Sequence, residues 1–221
     1  MSLPWPSIRQ FPPKAWVKHQ GFGLRTEWLK QYFSNNCAVD RCKMLGPNQR
    51  ISLAVWLKTC GLNDSQGRPT LLCGLHEINT NMSSELWQIM WINVVLQFAT
   101  AWWFVSILGK GSWSSSELKR LLPNHVCHLA PRSASNAIME LVGLFERTPI
   151  GQELGQGVVS GHNSRSVKRI GLNTPSNAAS NYSAFQLFLI TGSNKLSFYK
   201  HLPRPWVLFG CDRDYVTIQI I

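Results

Sequence analysis

Residues 86–109, LWQIMWINVVLQFATAWWFVSILG, decide the fold, because this stretch contains no charged residue and four of the chain's ten tryptophans. About 20 apolar residues are enough to cross a bilayer as a helix, so the stretch predicts either a membrane span or a buried element of one or two helices. Trp87, Trp91 and Trp102 recur at helical spacing, and the tryptophans are not confined to the two ends, as a membrane span prefers. Buried amides are also costly in lipid. We favour a tryptophan-rich helical core and keep the membrane span as the alternative.

The chain is strongly basic, with 22 Lys and Arg against 11 Asp and Glu, a net charge of +11 and a pI near 9.7. Residues 1–150 hold 15 of these cations against 8 carboxylates, and residues 151–221 hold 7 against 3. A surplus of this size attracts polyanions, which release counterions on binding. Because the surplus is not gathered in one tail, it indicates a broad electropositive face. The alternative is a basic protein without a polyanionic partner.

The first 80 residues predict a winged helix-turn-helix unit that follows a proline-rich extension. The predicted elements are a helix over residues 26–33 with Thr26 at its N-cap, a short helix over residues 39–44, a helix within residues 45–62 that ends at Gly61, a turn over residues 63–69 and a strand over residues 70–73. This order is typical of a winged helix, in which the second helix offers polar side chains to a DNA groove. Arg68 would lie at the tip of the wing.

A second helix-turn-helix-like unit is predicted after the tryptophan-rich stretch. Residues 114–122 have a serine cap and an early acid, and Pro123 is expected to end that helix. Residues 133–145 predict a second capped, amphipathic helix, whose outer side would carry Arg132, Ser133 and Asn136.

The last part of the chain changes character. Residues 151–183 are rich in Gly, Ser and Asn, which predicts a linker or mobile loop. Its basic cluster of Arg165, Lys168 and Arg169 can either clamp phosphates or simply be solvated. Residues 184–221 contain short β-branched and aromatic runs, which predict strands.

The predicted fold is mainly α, with two winged-helix or helix-turn-helix-like units around a Trp-rich helical core and a small β-rich C-terminal part. The predicted divisions are residues 1–80 (extension and first unit), 81–150 (Trp-rich helices and second unit), 151–183 (linker) and 184–221 (β-rich segment).

The sequence lacks the motifs that carry common enzymatic chemistry. It has no Gly-x-x-x-x-Gly-Lys loop, His-Glu-x-x-His or Gly-x-Ser-x-Gly, and 11 carboxylates leave little for metal-dependent hydrolysis. None of the six cysteines forms a Cys-x-x-Cys pair, so neither a disulfide framework nor a zinc site is expected. Residues 1–14 contain prolines and charges rather than an apolar signal segment. We expect a cytoplasmic, non-enzymatic protein without a cofactor, a metal or a small-molecule substrate, whose histidines, among them His19, are surface or hydrogen-bonded groups.

Four blocks of the chain resemble the bacterial DUF4007 family. The string His19-Gln20-Gly21-Phe22-Gly23-Leu24-Arg25-Thr26-Glu27-Trp28-Leu29 resembles its opening pattern His-Glu-x-Phe-x-x-Arg-x-Gly-Trp-Leu, and residues 45–62, 86–103 and 114–145 resemble its later blocks. The resemblance covers residues 16–148. Gln20 and Glu27 depart from the pattern, residues 46–49 lack its second glycine and lysine, and residues 94–96 replace its Asn-Pro break.

Members of that family are encoded near DNA phosphorothioation and related anti-phage loci. The resemblance therefore implies a helical accessory subunit of a prokaryotic defence or mobile-element complex, and it does not identify a reaction.

Together the charge, the predicted units and the resemblance favour a nucleic-acid-binding subunit, with DNA preferred to RNA and other protein subunits as further partners. The expected phosphate contacts are Lys14, Lys18, Arg25, Lys43, Arg50, Lys58, Arg68, Lys119, Arg120, Arg132, Arg165, Lys168 and Arg169. The expected groove contacts are Asn48, Gln49, Ser52, Ser133 and Asn136. The alternative function is a protein–protein adaptor with no nucleic-acid affinity of its own, since winged helices also serve that purpose.

Overall fold

The computed structural model describes residues 11–78, 82–126, 129–161 and 164–171, together with Ser176 and Ala179. In these residues the chain is mainly helical with one small antiparallel sheet. The α-helices are α1 (Thr26–Ser34), α2 (Pro47–Thr59), α3 (Leu71–Ile78), α4 (Ser84–Gln97), α5 (Ala99–Trp103), α6 (Ser115–His125), α7 (Pro131–Arg147) and α8 (Pro149–Gln152). The strands are β1 (Gly111–Ser114), β2 (Val158–Ser160) and β3 (Ser166–Arg169). The strands predicted for residues 184–221 lie outside the described residues.

The tryptophan-rich stretch forms the centre of the core, as two helices rather than one. α4 is followed by α5, which continues as a π-helix over Phe104–Leu108, and the two parts meet at an angle of 96°. The break falls at Phe98, whose backbone is extended (φ −113°, ψ 107°). Every residue of 86–95 is buried, as expected of a helix that is apolar on all sides. The prediction of a buried element of one or two helices is therefore confirmed, and the number is two.

Two of the polar side chains that interrupt this stretch, Asn93 and Thr100, donate to backbone carbonyls of other segments. Asn93 Nδ2 donates to the carbonyl of Cys60 at 2.9 Å, and Thr100 Oγ1 donates to the carbonyl of Trp16 at 3.0 Å. These bonds satisfy groups that are costly to bury alone, and they join α4 to the end of α2 and α5 to the N-terminal segment.

With respect to membrane spans, no single helix in the described residues is both long and apolar enough to cross a bilayer. Within the described ranges, only α4 taken together with the segment Ala99–Leu108 reaches that length and composition, and this pair is bent by 96°.

The N-terminal part agrees with the sequence in its two longer helices, but the helix predicted over residues 39–44 is only a 3-10 turn at Val39–Arg41, and the predicted strand differs as well. α1 begins at Thr26, although its N-cap is Arg25 and the Thr26 hydroxyl donates instead to the carbonyl of Arg147 at 3.1 Å. α2 ends before Gly61, which has the positive φ (+77°) expected there. The predicted strand at residues 70–73 is wrong, because residues 71–78 form α3. A short apolar run cannot by itself distinguish a strand from a helix.

α6 and α7 pack against each other and follow β1. α6 begins with a capping box in which the Ser114 hydroxyl accepts from the Glu117 amide at 3.1 Å and Glu117 Oε2 accepts from the Ser114 amide at 2.6 Å. The prediction that Pro123 ends this helix is wrong, since α6 continues to His125. Pro123 lies in the last turn, so only one carbonyl loses its amide donor there. α7 begins two residues before the predicted start, with Pro131 in its first turn.

The linker prediction is wrong for much of residues 151–171, which contain the end of α8 and both strands of a hairpin. β3 pairs antiparallel with β1 and with β2, so the order in the sheet is β1–β3–β2. Lys168 lies opposite Ser112 on one side and Val158 on the other. The glycines that suggested a linker allow close packing instead: a Cβ on Gly157 would lie 2.1 Å from a ring carbon of Phe145.

Candidate nucleic-acid interface

Several exposed cationic side chains of the described C-terminal part stand on the elements from α6 to β3. Arg120 on α6, Arg132 on α7, Arg165 in the hairpin and Lys168 on β3 are exposed, and Lys119 is half-buried. The hairpin is fastened to the start of α6, because the amide and hydroxyl of Ser115 both donate to the carbonyl of Arg165, at 2.8 and 3.1 Å. The cations of these elements therefore stand on one packed unit.

α7 has one buried face and one exposed stripe. Its buried side chains include Ala134, Ile138 and Leu141, at helical spacing. The exposed side chains are Pro131, Arg132, Met139, Glu146 and Arg147, and the half-buried Ser133 and Asn136 lie near the same N-terminal end. Because the stripe begins at the N-terminus, its first turns present a cation, a hydroxyl and an amide to solvent, which are groups that contact phosphates and base edges.

Strand β3 alternates between the core and the solvent. Val167 and Arg169 are buried, whereas Lys168 between them is exposed. Arg165 extends from the preceding loop towards α7, where its Nη1 lies 3.5 Å from Glu146 Oε2. Both side chains of that pair are substantially exposed, so the pair contributes little to stability and leaves Arg165 able to exchange partners.

Two of the predicted contact residues are corrected by their burial. Ser52 is fully buried and donates to the carbonyl of His19 at 2.8 Å. Arg169 is 3% exposed, and its guanidinium donates to Gln156 Oε1 and to the carbonyl of Val105, both at 3.2 Å. Ser52 lies on the inner side of α2 and Arg169 on the inner side of β3. Both therefore hold the fold together and neither is available to a ligand.

Apart from Ser52, the predicted contacts of the N-terminal part have exposed or half-buried side chains, and several have local partners. Lys14, Lys43, Asn48, Lys58 and Arg68 are exposed, and Lys18, Arg25, Gln49 and Arg50 are half-buried. Arg68 pairs with Asp64 at 2.7 Å, and Lys58 Nζ donates to the carbonyl of Ser65 at 3.0 Å. Gln49 Oε1 accepts from the amide of Gly46. These bonds serve the turn after α2 and the start of α2.

Lys18 and Arg25 are the predicted cations of the N-terminal part whose pKa values are lowered by burial. Lys18 Nζ donates to the carbonyl of Gln97 at 3.0 Å, and burial lowers the pKa of this ammonium in spite of the nearby Glu140. The guanidinium of Arg25 lies 5.1 Å from the ring centre of Trp28, and burial together with Arg147 lowers its pKa. Both cationic groups therefore already interact with other groups of the protein, which leaves them less available to a ligand.

A buried polar cluster around His19 is a feature that the sequence analysis missed. His19 and Glu140 have no exposed surface, and Nδ1 of the ring lies 3.0 Å from Glu140 Oε2. Nε2 lies 3.0 Å from Thr59 Oγ1, and the ring stacks on Trp56 at 3.5 Å between centres. Burial lowers the pKa of His19, and the Glu140 carboxylate opposes that shift.

The arrangement resembles a histidine–carboxylate pair of a catalytic site, but the ring has no surface to present to a substrate. The cluster therefore organises the fold. One signal for it was present in the sequence: Glu140 lies between Ala137 and Leu141 on the apolar face of α7, where an acid requires a buried partner.

With respect to metals, no group of three or more His, Cys, Asp or Glu side chains in the described ranges could hold an ion. Comparison with known proteins gives no match: no protein-family model, no curated protein and no solved structure matches the chain.

Proposed function

We propose that the chain binds nucleic acid, duplex DNA in the first place, through a winged-helix unit formed by β1, α6, α7, β2 and β3. The observation that carries the proposal is the order of these elements. A strand precedes two packed helices, a hairpin follows them after the four-residue helix α8, and the last strand returns to pair with the first. In winged helices of this order the second helix enters the groove and the hairpin loop contacts the backbone.

In this assignment α7 is the recognition helix and the loop between β2 and β3 is the wing. Arg132 and Asn136 at the exposed start of α7 would face the groove, with Asn136 suited to adenine and Arg132 to guanine or phosphate. Arg120, Arg165 and Lys168 would contact phosphates on either side. The net charge of +11 supports the same partner, because it favours approach to a polyanion from a distance.

For the biological role of this DNA binding, the proposal relies on the resemblance of residues 16–148 to proteins encoded at prokaryotic defence loci. We infer an accessory subunit that holds DNA for a partner with catalytic activity, working in the cytoplasm and without chemistry of its own. The buried His19–Glu140 pair supports the non-enzymatic assignment, because the best candidate for acid–base chemistry in the described residues is closed to substrate.

The adaptor function is a second candidate because of exposed apolar side chains in the N-terminal part. Met44 is 85% exposed, Ile51 52% and Leu71 94%. Large exposed apolar groups of this kind occur at protein–protein contacts. In this alternative the N-terminal helices dock a partner subunit, and the winged-helix unit has no DNA affinity.

A titration of labelled duplex DNA and of duplex RNA of the same sequence, at several salt concentrations, tests the proposal. We expect binding that weakens linearly in log–log form as salt rises, with a slope close to the number of phosphate contacts, and tighter binding to DNA than to RNA. Absence of measurable binding at low salt, together with co-purification of partner proteins, would instead support the adaptor.

A further inference from the structure

Two cysteines that are far apart in the sequence are in contact in the fold. Cys37 Sγ and Cys73 Sγ lie 3.0 Å apart, across a separation of 36 residues. Cys37 follows the end of α1 and is half-buried, whereas Cys73 lies in the first turn of α3 and is buried. A disulfide bond is about 2.0 Å long, so a movement of about 1 Å separates this contact from a covalent bond.

We propose that Cys37 and Cys73 are a redox modification site, which forms a reversible disulfide when the chain meets a low-molecular-weight disulfide. The bond would join the end of α1 to α3 in the N-terminal part of the fold. This site is independent of the winged-helix unit, because neither cysteine belongs to β1, α6, α7, β2 or β3.

The exposure of the two thiols sets the order of the steps. Cys37 is the more exposed of the pair, so its thiolate attacks a sulfur of the small disulfide, RSSR. The S–S bond of RSSR breaks, one RS⁻ leaves and takes a proton, and Cys37 carries a mixed disulfide. Cys73 then loses its proton and attacks the Cys37 sulfur, and the second RS⁻ leaves and is protonated. In sum, two protein thiols and RSSR give one protein disulfide and two RSH.

The surroundings of Cys73 orient its thiol for the second step. The Tyr32 hydroxyl donates to Asn63 Oδ1 at 2.5 Å, so its oxygen can accept from the thiol of Cys73, whose sulfur lies 3.7 Å away. Burial and the neighbouring cysteines raise the pKa of Tyr32, so the phenol stays protonated. On the other side, Asn36 and Cys37 both have left-handed backbones (φ +53° and +55°). This unusual turn directs the chain after α1 so that Cys37 reaches α3.

The other cysteines of the described residues provide matched controls. Cys42 is buried, and its thiol donates to the carbonyl of Ala38 within its own segment. Cys60 is fully buried, and burial raises the pKa of its thiol. Neither is expected to react before Cys37, because attack on a disulfide requires an accessible thiolate.

The test is an oxidation titration of the full chain with glutathione disulfide, in a background in which Cys127 and Cys211 are replaced by serine. Free thiols are alkylated after each step, and the peptides are identified by mass spectrometry. We expect a Cys37–Cys73 cross-linked peptide that dithiothreitol reverses. Cys42 and Cys60 should stay reduced and should therefore be recovered in alkylated form. The oxidised protein should melt about 5–10 °C higher, because the bond constrains the unfolded chain.

Two single variants distinguish the assigned roles. Cys73→Ser should stop the reaction at a glutathione adduct on Cys37, and Cys37→Ser should leave Cys73 in its reduced form. The proposal would be overturned by a glutathione adduct that persists on Cys37 in the chain that retains both Cys37 and Cys73. It would equally be overturned if Cys37 and Cys73 stayed alkylated under conditions that oxidise a small dithiol.

Discussion

The imidazole of His19 and the carboxylate of Glu140 meet in the interior of the fold, with Nδ1 3.0 Å from Oε2, although the two residues are 121 positions apart in the chain. The same carboxylate accepts from the amide of His19 at 3.0 Å and from the amide of Gly21 at 2.8 Å. Glu140 thus gathers the donors of the N-terminal segment onto α7, and the stacking of the His19 ring on Trp56 extends the contact to α2.

Removal of this acceptor should destabilise the whole fold. In Glu140→Ala the buried donors of His19 and the half-buried amide of Gly21 lose their partner, and we expect the free energy of unfolding to fall by about 3–5 kcal/mol. Urea unfolding followed by tryptophan fluorescence measures the loss. Glu153→Ala is the matched control: Glu153 is exposed, so its replacement should change stability by about 0.5 kcal/mol or less. Equal effects of the two substitutions would show that Glu140 does not organise the core.

Acidification should also destabilise the protein, through His19. Burial lowers the pKa of this imidazole in the folded state, whereas in the unfolded chain it lies near 6.5. Below about pH 6.5 the unfolded state therefore binds more protons than the folded state, and the free energy of unfolding falls as the pH decreases. The check is the urea midpoint between pH 7.5 and 5.5.

A His19→Gln variant separates this effect from that of other groups and should show a flatter profile over the same range. The carboxylates of Asp64 and Glu117 have pKa values that are lowered by hydrogen bonds from Arg68 and Ser114 respectively. They lose their contribution to stability only in stronger acid, as the pH falls through those lowered values. An increase in the urea midpoint as the pH is lowered from 7.5 to 5.5, seen in the parent chain but not in His19→Gln, would contradict the assigned direction of the pKa shift.

Arg169 and Lys168 are neighbours in β3 and should behave in opposite ways. Arg169→Ala removes the donors to Gln156 Oε1 and the Val105 carbonyl, and we expect a loss of about 2–4 kcal/mol in stability. Lys168→Ala removes an exposed side chain and should leave stability within about 0.5 kcal/mol. Thermal unfolding of the two variants makes the comparison, and similar melting temperatures would mean that the strand does not alternate as described.

Glycine substitutions test the packing of the hairpin against α7. In Gly157→Ala the new methyl group would lie 2.1 Å from a ring carbon of Phe145, and we expect a loss of about 1–3 kcal/mol from overpacking. Gly74 in α3 has no neighbour within 4 Å of a Cβ, so Gly74→Ala should stabilise the chain by up to about 1 kcal/mol. The denaturant midpoints of both variants measure these changes. An unchanged midpoint in Gly157→Ala would show that the hairpin does not pack closely against Phe145 of α7.

The helices of the core could be predicted from the sequence because their signals are local. Residues 86–109 carry no charge, and the start of α6 is marked by a capping box between Ser114 and Glu117. The hairpin could not be predicted, because β2 and β3 have only 3 and 4 residues. Their stability depends on a partner strand that begins at Gly111, more than 40 residues earlier in the chain.

For the candidate site, the sequence identifies the cations but not which of them are exposed. Lys168 and Arg169 are adjacent, and only the register of β3 determines that one faces solvent and the other the core. Ser52 and Glu140 illustrate the same limit on helices: both belong to a cluster around His19 that exists only when three distant segments meet.

The central claim of the proposed function is that the unit of β1, α6, α7, β2 and β3 carries the nucleic-acid contacts. The salt dependence of DNA binding in two charge-matched variants tests it most directly. One variant, Arg120→Gln/Arg132→Gln/Lys168→Gln, removes three exposed cations of the unit. The other, Lys30→Gln/Arg41→Gln/Lys43→Gln, removes three exposed cations of the N-terminal part. Each lost phosphate contact should reduce the slope of log affinity against log salt by about 0.9.

We therefore predict a slope reduced by about 2–3 in the first variant and a nearly unchanged slope in the second. Equal reductions in the two variants, or a larger reduction in the second, would contradict the claim.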